Sequence, residues 1–238
     1  MLGILVTSYL PHYYLYQDLL VSNLDKNKFK VIFTTTHENH DFIKNISSNI
    51  KTPLYYLDQN PGKHDGTYYL VSSAINEFDE CDYILHYHAD NWFRDGTKMI
   101  EKTYEKLKNS KYKIGSIPRQ WLFDENLNHN DKTIPFHFDF CMMQKELFTN
   151  IFKVELLNHW KELSIKNGHP SQQFEPCLYA GLVENSVDID NDIYYTDSIK
   201  DLKERFGNNP VYYNFFFKQS GFFHYDQTAF ENRVNNEL

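Results

Sequence analysis

Long hydrophobic runs are missing from this chain of 238 residues: none approaches the roughly 20 apolar residues that a membrane-spanning helix needs. The opening stretch MLGILVTSYLPHYY also lacks the charged region and small-residue cleavage site of a secretory leader, so a soluble, unprocessed, cytoplasmic protein is expected. Positive charge is in short supply. Lys and Arg number 24 against 32 Asp and Glu, a formal charge of −8, which removes the electrostatic reason to expect nucleic acid or an anionic membrane as the main partner. Cysteine is scarce too. Cys81, Cys141 and Cys177 are odd in number, far apart and without metal-ligand spacing, and each sits among apolar neighbours. Three reduced, buried thiols are expected rather than a disulfide framework.

Aromatic residues, at 17%, are what the chain has in abundance, and with ordinary glycine and proline content they mark a globular fold rather than disorder or low complexity. Strand and helix patterns alternate from the N-terminus. LGILVTSY reads as a strand, HYYLYQDLLVSNLD as a helix with Tyr13, Tyr16, Leu20 and Leu24 on its apolar stripe, and FKVIFTTTHE as a second strand. DFIKNISSNI suits a short helix, TPLYYLD a third strand bounded by proline and the turn QNPGKHDG, TYYLVSSAINEF a helix with apolar Tyr69, Ala74 and Ile75 among small residues, and DYILHYH a fourth strand.

The second half is less regular. GTKMIEKTYEKLKNS is an amphipathic helix, KIGSIPRQW a strand broken by Pro118, and FHFDFCMMQKELF a strand running into a helix. VELLNHWKELSIKNG is helical with a glycine stop, and SQQFEPCLYAGLVEN a helix with Pro176 in its first turn. No repeat or linker interrupts this order, so a single α/β domain is expected, with a central, mostly parallel sheet and helices on both faces.

Such sheets bind ligands beyond the carboxyl ends of their strands, where Thr7 to Tyr9, Thr34 to Glu38, Asp58 to Asn60 and His86 to Asn91 form one rim. The fourth strand ends abruptly in CDYILHYHADNWF. His88 and Asp90, two residues apart, project to one side of an extended segment, and Asn91 turns the chain and offers a carbonyl. Carboxylate, imidazole and amide make a partial shell for Mn²⁺ or Mg²⁺, with substrate oxygens completing it. The competing reading is an ordinary solvated turn, where Asp and Asn are common for their own hydrogen bonds.

This strand end, with the preceding NPGKHDGTYYLVSSAINEFDECDYILHYHAD, resembles the GT-A glycosyltransferases, a Rossmann-like fold that uses nucleotide sugars. Their motif strand ends in Asp-x-Asp; here the segment is His88-Ala89-Asp90-Asn91, with histidine in place of the first aspartate. The resemblance covers about the first 120 residues well. It implies a nucleotide-sugar-binding half over 1–120 and an acceptor-side half over 121–238. It implies an inverting, metal-assisted sugar transfer from a uridine or guanosine diphosphate sugar to a glycan or lipid-linked acceptor, in polysaccharide biosynthesis.

The resemblance also implies roles for single residues. Asp90 and His88 would hold the metal, and His224, freed by Gly221, would close over the donor, with Asp226 as a neighbour able to replace it. Thr7, Ser8, Tyr9, His37, Glu38, Asp65 and His88 would contact the nucleotide, Tyr9 by stacking. Glu175, at a helix start on the acceptor side, would be the catalytic base and Asp139 the second choice, although an acid in a first helical turn is also favoured by the helix dipole alone. A nucleotidyltransferase would carry a glycine-rich, basic loop after the first strand, which TSYLPHYY is not. A non-catalytic carbohydrate- or nucleotide-binding protein of the same fold is the alternative, favoured by His88. Some aromatic residues of WLF, FHFDF, VYYNFFF and GFFHYD would form a sugar platform, while most would be core.

Overall fold

The structure is a computed structural model that describes residues 1–8, 13–36, 45, 47–58, 62–93, 97–118, 134–169, 174–196, 200, 204 and 222–224. All six residues of β1 (Leu2–Thr7) are buried. A strand without a polar face belongs in the middle of a sheet covered on both sides, and β1 lies between β2 (Phe29–Thr36) and β4 (Tyr83–His88), parallel to both. β3 (Leu54–Leu57) extends β2 in parallel at one edge. On the other side β7 (Phe136–Gln144) runs antiparallel between β4 and β6 (Ile114–Pro118), and β8 (Ile193–Tyr195) lies parallel to β6. The order β3-β2-β1-β4-β7-β6-β8 is an open, mostly parallel seven-stranded sheet of the expected α/β class. A two-stranded ribbon pairs β5 (Asn91–Phe93) with β9 (Phe222–His224).

Helices cover both faces. Leu2, Ile4 and Val6 point to a core completed by Tyr14 of α1 (Tyr13–Val21) and by Ile100, Tyr104 and Leu107 of α3 (Lys98–Lys108). Leu5 points the other way, to Tyr68 and Val71 of α2 (Lys63–Ser73). That second core also takes Phe148 of α4 (Lys145–Ile151), Trp160 of α5 (Leu157–Lys166) and Leu178 of α6 (Phe174–Glu184).

Two helical stripes are rotated from their expected phase. α1 buries Tyr14, Gln17, Asp18 and Val21, while Tyr13, Tyr16 and Leu20 are only half-buried and Leu15 and Leu19 are exposed. The stripe keeps helical spacing but seats two polar residues at its centre, because the chain entering β3 and the turn leaving β4 need hydrogen-bond partners there. Asp18 serves the first, accepting from Lys51 N, Thr52 N and Thr52 Oγ1 at 3.1, 2.9 and 2.6 Å. In α2 it is Tyr68 that is buried and Tyr69 that is exposed, and just beyond the helix Ala74 and Ile75 are buried. Half of DFIKNISSNI, and the aromatic segment from 209 to 227 apart from 222–224, lie outside the described residues.

Gly3 shares the face of Leu5, where the fully buried Phe78 ring lies so close that an added Cβ would sit 2.4 Å from its Cδ1. Phe78 cannot retreat, being packed in the core. Gly3→Ala is therefore expected to cost about 1–3 kcal/mol in urea denaturation, from overpacking. The double variant with Phe78→Leu should lose less than the sum of the two single variants. Wild-type stability in Gly3→Ala would contradict this packing.

Candidate active site

The carboxyl ends of the parallel strands meet along one edge, where β1 ends at Thr7, β2 at Thr36, β3 at Leu57 and β4 at His88. The ladder between β1 and β4 closes at the pair Thr7 and His88, and Ala89 N–H still donates to Thr7 O at 2.9 Å. Ala89 and Asp90 then turn the chain into β5. This turn is held from α1 by Gln17, which is fully buried. Its Nε2 donates to Ala89 O at 2.7 Å and to Asn91 O at 2.8 Å, and its Oε1 accepts from the Tyr87 hydroxyl at 2.9 Å.

Asp139 of β7 holds the turn from the other side. Its carboxylate Oδ1 lies 3.2 Å from His88 Nδ1, and its carbonyl accepts from Asn91 Nδ2 at 2.5 Å. Below them His86 is fully buried, stacked on Phe138 with centroids 4.2 Å apart and edge-on to His88 at 5.2 Å. Its Nδ1 lies 3.2 Å from the Phe138 carbonyl, which can only accept, so Nδ1 carries the hydrogen and Nε2 accepts from the Thr7 hydroxyl at 2.9 Å. Burial, with the His88 ring adding to it, holds His86 well below the ordinary imidazole range and therefore neutral. Asp90 is half-buried at the head of the turn. Its charge reaches Tyr14, whose phenol is held well above its ordinary range by burial first, with Tyr87 and Asp90 pushing the same way.

The other expected site residues are distributed around this turn. Thr7 is buried with its hydroxyl taken by His86, and Ser8 is half-buried with its N–H donating to Thr34 O at 3.2 Å. Asp65, in the first turn of α2, pairs with Lys161 of α5 at 2.6 Å. Glu175 lies half-buried in the first turn of α6. The neighbouring Phe174 brings that helix start to β7, its ring 4.7 Å from Phe138. The β5–β9 pairing sets the backbone of His224 opposite Asn91. Tyr9, His37, Glu38 and Asp226 lie outside the described residues.

Gln17 was not singled out from the sequence, and His86 and Tyr87 were placed on the rim without a role, although each is bonded into the site. The available signal was a pair of polar residues, Gln17 and Asp18, inside an otherwise apolar and aromatic helix.

The donor chemistry suits a divalent ion only in part. Among the described residues no three His, Cys, Asp or Glu side chains gather as a metal cage. Asp90 and His88 are a partial shell of the kind completed by diphosphate oxygens, and a carboxylate bonded to a ring nitrogen of a histidine is the usual device for orienting a ligating imidazole. Asn91 is wholly buried, and its Oδ1 has no hydrogen-bond partner among the described residues. The residues present fit Mn²⁺ or Mg²⁺ bound jointly with a substrate.

No protein-family model and no curated protein matches the sequence. Among solved structures, an active-site mutant of LgtC aligns over 94% of this chain and 86% of that chain, at 10% identity, with a TM-score of 0.53. The 4-diphosphocytidyl-2C-methyl-D-erythritol synthase from Anaerococcus prevotii is similar at 11% identity over 82% of this chain and 86% of that one, with a TM-score of 0.48. The mannosyltransferase PcManGT from Pyrobaculum calidifontis, in complex with GDP-Man and Mn²⁺, is similar at 11% identity over 61% of this chain and 45% of that one, with a TM-score of 0.45. The chain has the GT-A fold, as the LgtC alignment and the sheet order show. No helix among the described residues is long and apolar enough to cross a membrane.

The neutrality of His86 has a measurable consequence. Unfolded, His86 takes a proton near 6.5; folded, it takes one only well below that value. Between the two values the unfolded state binds more protons, so stability present above pH 6.5 is lost as the pH falls through the folded value. One such group contributes a slope of up to about 1.4 kcal/mol per pH unit. Urea titrations between neutral and acidic pH should show this decline in the wild type. His86→Gln should be less stable throughout but flatter; equal slopes would contradict the assignment.

Proposed function

We propose that this chain is a glycosyltransferase that moves a sugar from a uridine or guanosine diphosphate sugar to a glycan or lipid-linked acceptor, with inversion. The observation that supports it is the turn over residues 89–91, where hydrogen bonds from three elements hold a carboxylate at the carboxyl end of a buried parallel strand. An ordinary surface turn needs no such support from a buried amide. Asp90 and His88 would hold Mn²⁺ or Mg²⁺, with His224 joining from the β9 side. The ion would supply Lewis-acid neutralisation of the leaving diphosphate.

The chain's own groups do the rest. Ser8 and Tyr9 with His37 and Glu38 line the nucleoside, Asp65 flanks it, and Thr7 fixes the rim through His86. Glu175 takes the proton of the acceptor hydroxyl. Asp139, with its carboxylate 3.2 Å from the His88 ring, fits better as the group that orients that imidazole than as a base. The nucleotide side is assigned to 1–120 and the acceptor side to 121–238 of one domain. Three buried free cysteines suit a reducing compartment, and we place the reaction in cytoplasmic polysaccharide synthesis.

One observation favours a second reading. Histidine in place of the motif's first aspartate, with its ring engaged by Asp139, suits a protein that binds a nucleotide or sugar without turning it over.

Thermal shifts with nucleoside diphosphates and nucleotide sugars, each with and without Mn²⁺, test the proposal. A ligand at about 100 times its Kd should stabilise the fold by roughly 2.7 kcal/mol. The expected result is a Mn²⁺-dependent shift with one nucleotide, abolished in Asp90→Asn, together with release of the nucleoside diphosphate when acceptor is added. Binding without turnover would select the second reading, and no shift with any nucleotide would overturn the transferase reading.

A further inference from the structure

We propose that Gln17 is the positioning residue of the Asp90 turn, acting as an uncharged double donor that clamps the two carbonyls flanking the site carboxylate. The role of Asp90 rests on the function proposed above; the clamp itself rests on geometry alone. Gln17 is 0% exposed on the buried stripe of α1, a place that packing alone would fill with an apolar residue. Its bonding capacity is matched to its surroundings. Both hydrogens of Nε2 go to carbonyl oxygens, of Ala89 at 2.7 Å and of Asn91 at 2.8 Å, and Oε1 receives the Tyr87 hydroxyl at 2.9 Å.

The reversed amide would set its oxygen against two carbonyl oxygens, so the chemistry of the partners fixes the orientation. Tyr87 is itself fully buried and belongs to the strand that ends at the turn, which locks the rotation of the amide. No other side chain of this length serves equally well. Glutamate is isosteric but only accepts when ionised, and it would add a negative charge beside Asp90. Leucine would leave both carbonyls bare, and lysine would bring a charge into a buried site. A neutral donor fixes the backbone on both sides of Asp90 while leaving the charge of the site to the carboxylate. Binding constellations need their first residues held to within about 0.5 Å by such supporting contacts.

The experiment compares wild type, Gln17→Glu, Tyr87→Phe and Asp18→Asn in the full chain. Asp18 is the control, since it is buried on the same helix but bonds Lys51 and Thr52 instead of the turn. The first readout is amide hydrogen exchange at residues 88–93, which needs no ligand. The second is Mn²⁺ affinity in the presence of a nucleoside diphosphate, followed by the electron paramagnetic resonance of free Mn²⁺.

Gln17→Glu and Tyr87→Phe are expected to speed exchange across 88–93 roughly tenfold and to weaken Mn²⁺ on the order of tenfold. Asp18→Asn, at similar global destabilisation, should leave both within about twofold of wild type. Tyr87→Phe removes only the hydroxyl and carries the test if the glutamate variant does not fold. Unchanged exchange at 88–93 in the Gln17 and Tyr87 variants, or an equal change in Asp18→Asn, would overturn the clamp. If wild type takes up no Mn²⁺ with any nucleoside diphosphate, the proposed function fails and the exchange data alone decide the clamp.

Discussion

Where β4 ends inside the protein, its last carbonyls and amides must find partners before the chain can turn, because water cannot reach them from either face of a covered sheet. The rest of the site follows from how that is done. Thr7 O takes the Ala89 amide, Gln17 takes the carbonyls of Ala89 and Asn91, and the Asp139 carbonyl takes the Asn91 side-chain amide. Three different elements, β1, α1 and β7, are thereby tied to the two residues that flank Asp90. The carboxylate between them sits at the rim on a backbone that has little freedom left.

The same strand is organised separately on its two faces. Tyr87 points to the core shared with α1 and α3, and its hydroxyl supports Gln17. His86 and His88 lie on the opposite side, against Thr7, Phe138 and Asp139. Period-two alternation along β4 thus sends one polar network to each face. The buried histidine could not be replaced by a charged group without large cost, and its hydrogen bonds settle both its tautomer and the rotamer of Thr7. Aromatic packing extends the arrangement outward: Phe138 stacks on His86 and touches Phe174, which starts the helix that carries Glu175.

Much of this was legible in the sequence. Alternating strand and helix patterns gave the parallel sheet and its rim, and the abrupt polar end of an apolar strand located the turn at Asp90. Helix phase was less readable, because α1 carries tyrosine and leucine on all sides and its buried centre is polar. Gln17 and Asp18 are buried on account of backbone groups far away in sequence, at 51, 52, 89 and 91, which no local pattern displays. The antiparallel insertion of β7 between β4 and β6 is likewise a matter of tertiary pairing. Strands as short as β5, β8 and β9, three residues each, hold too little alternation to be seen.

The proposed function places a diphosphate and metal site at the head of β4, and one measurement addresses this directly. Crystals of the protein soaked with Mn²⁺ and a nucleoside diphosphate, examined at a wavelength where manganese scatters anomalously, would locate the ion. The account predicts an anomalous peak beside the Asp90 carboxylate in crystals that also hold the nucleoside diphosphate. A well-occupied nucleotide with its manganese elsewhere, or no bound manganese beside Asp90 at saturating concentration, would contradict it.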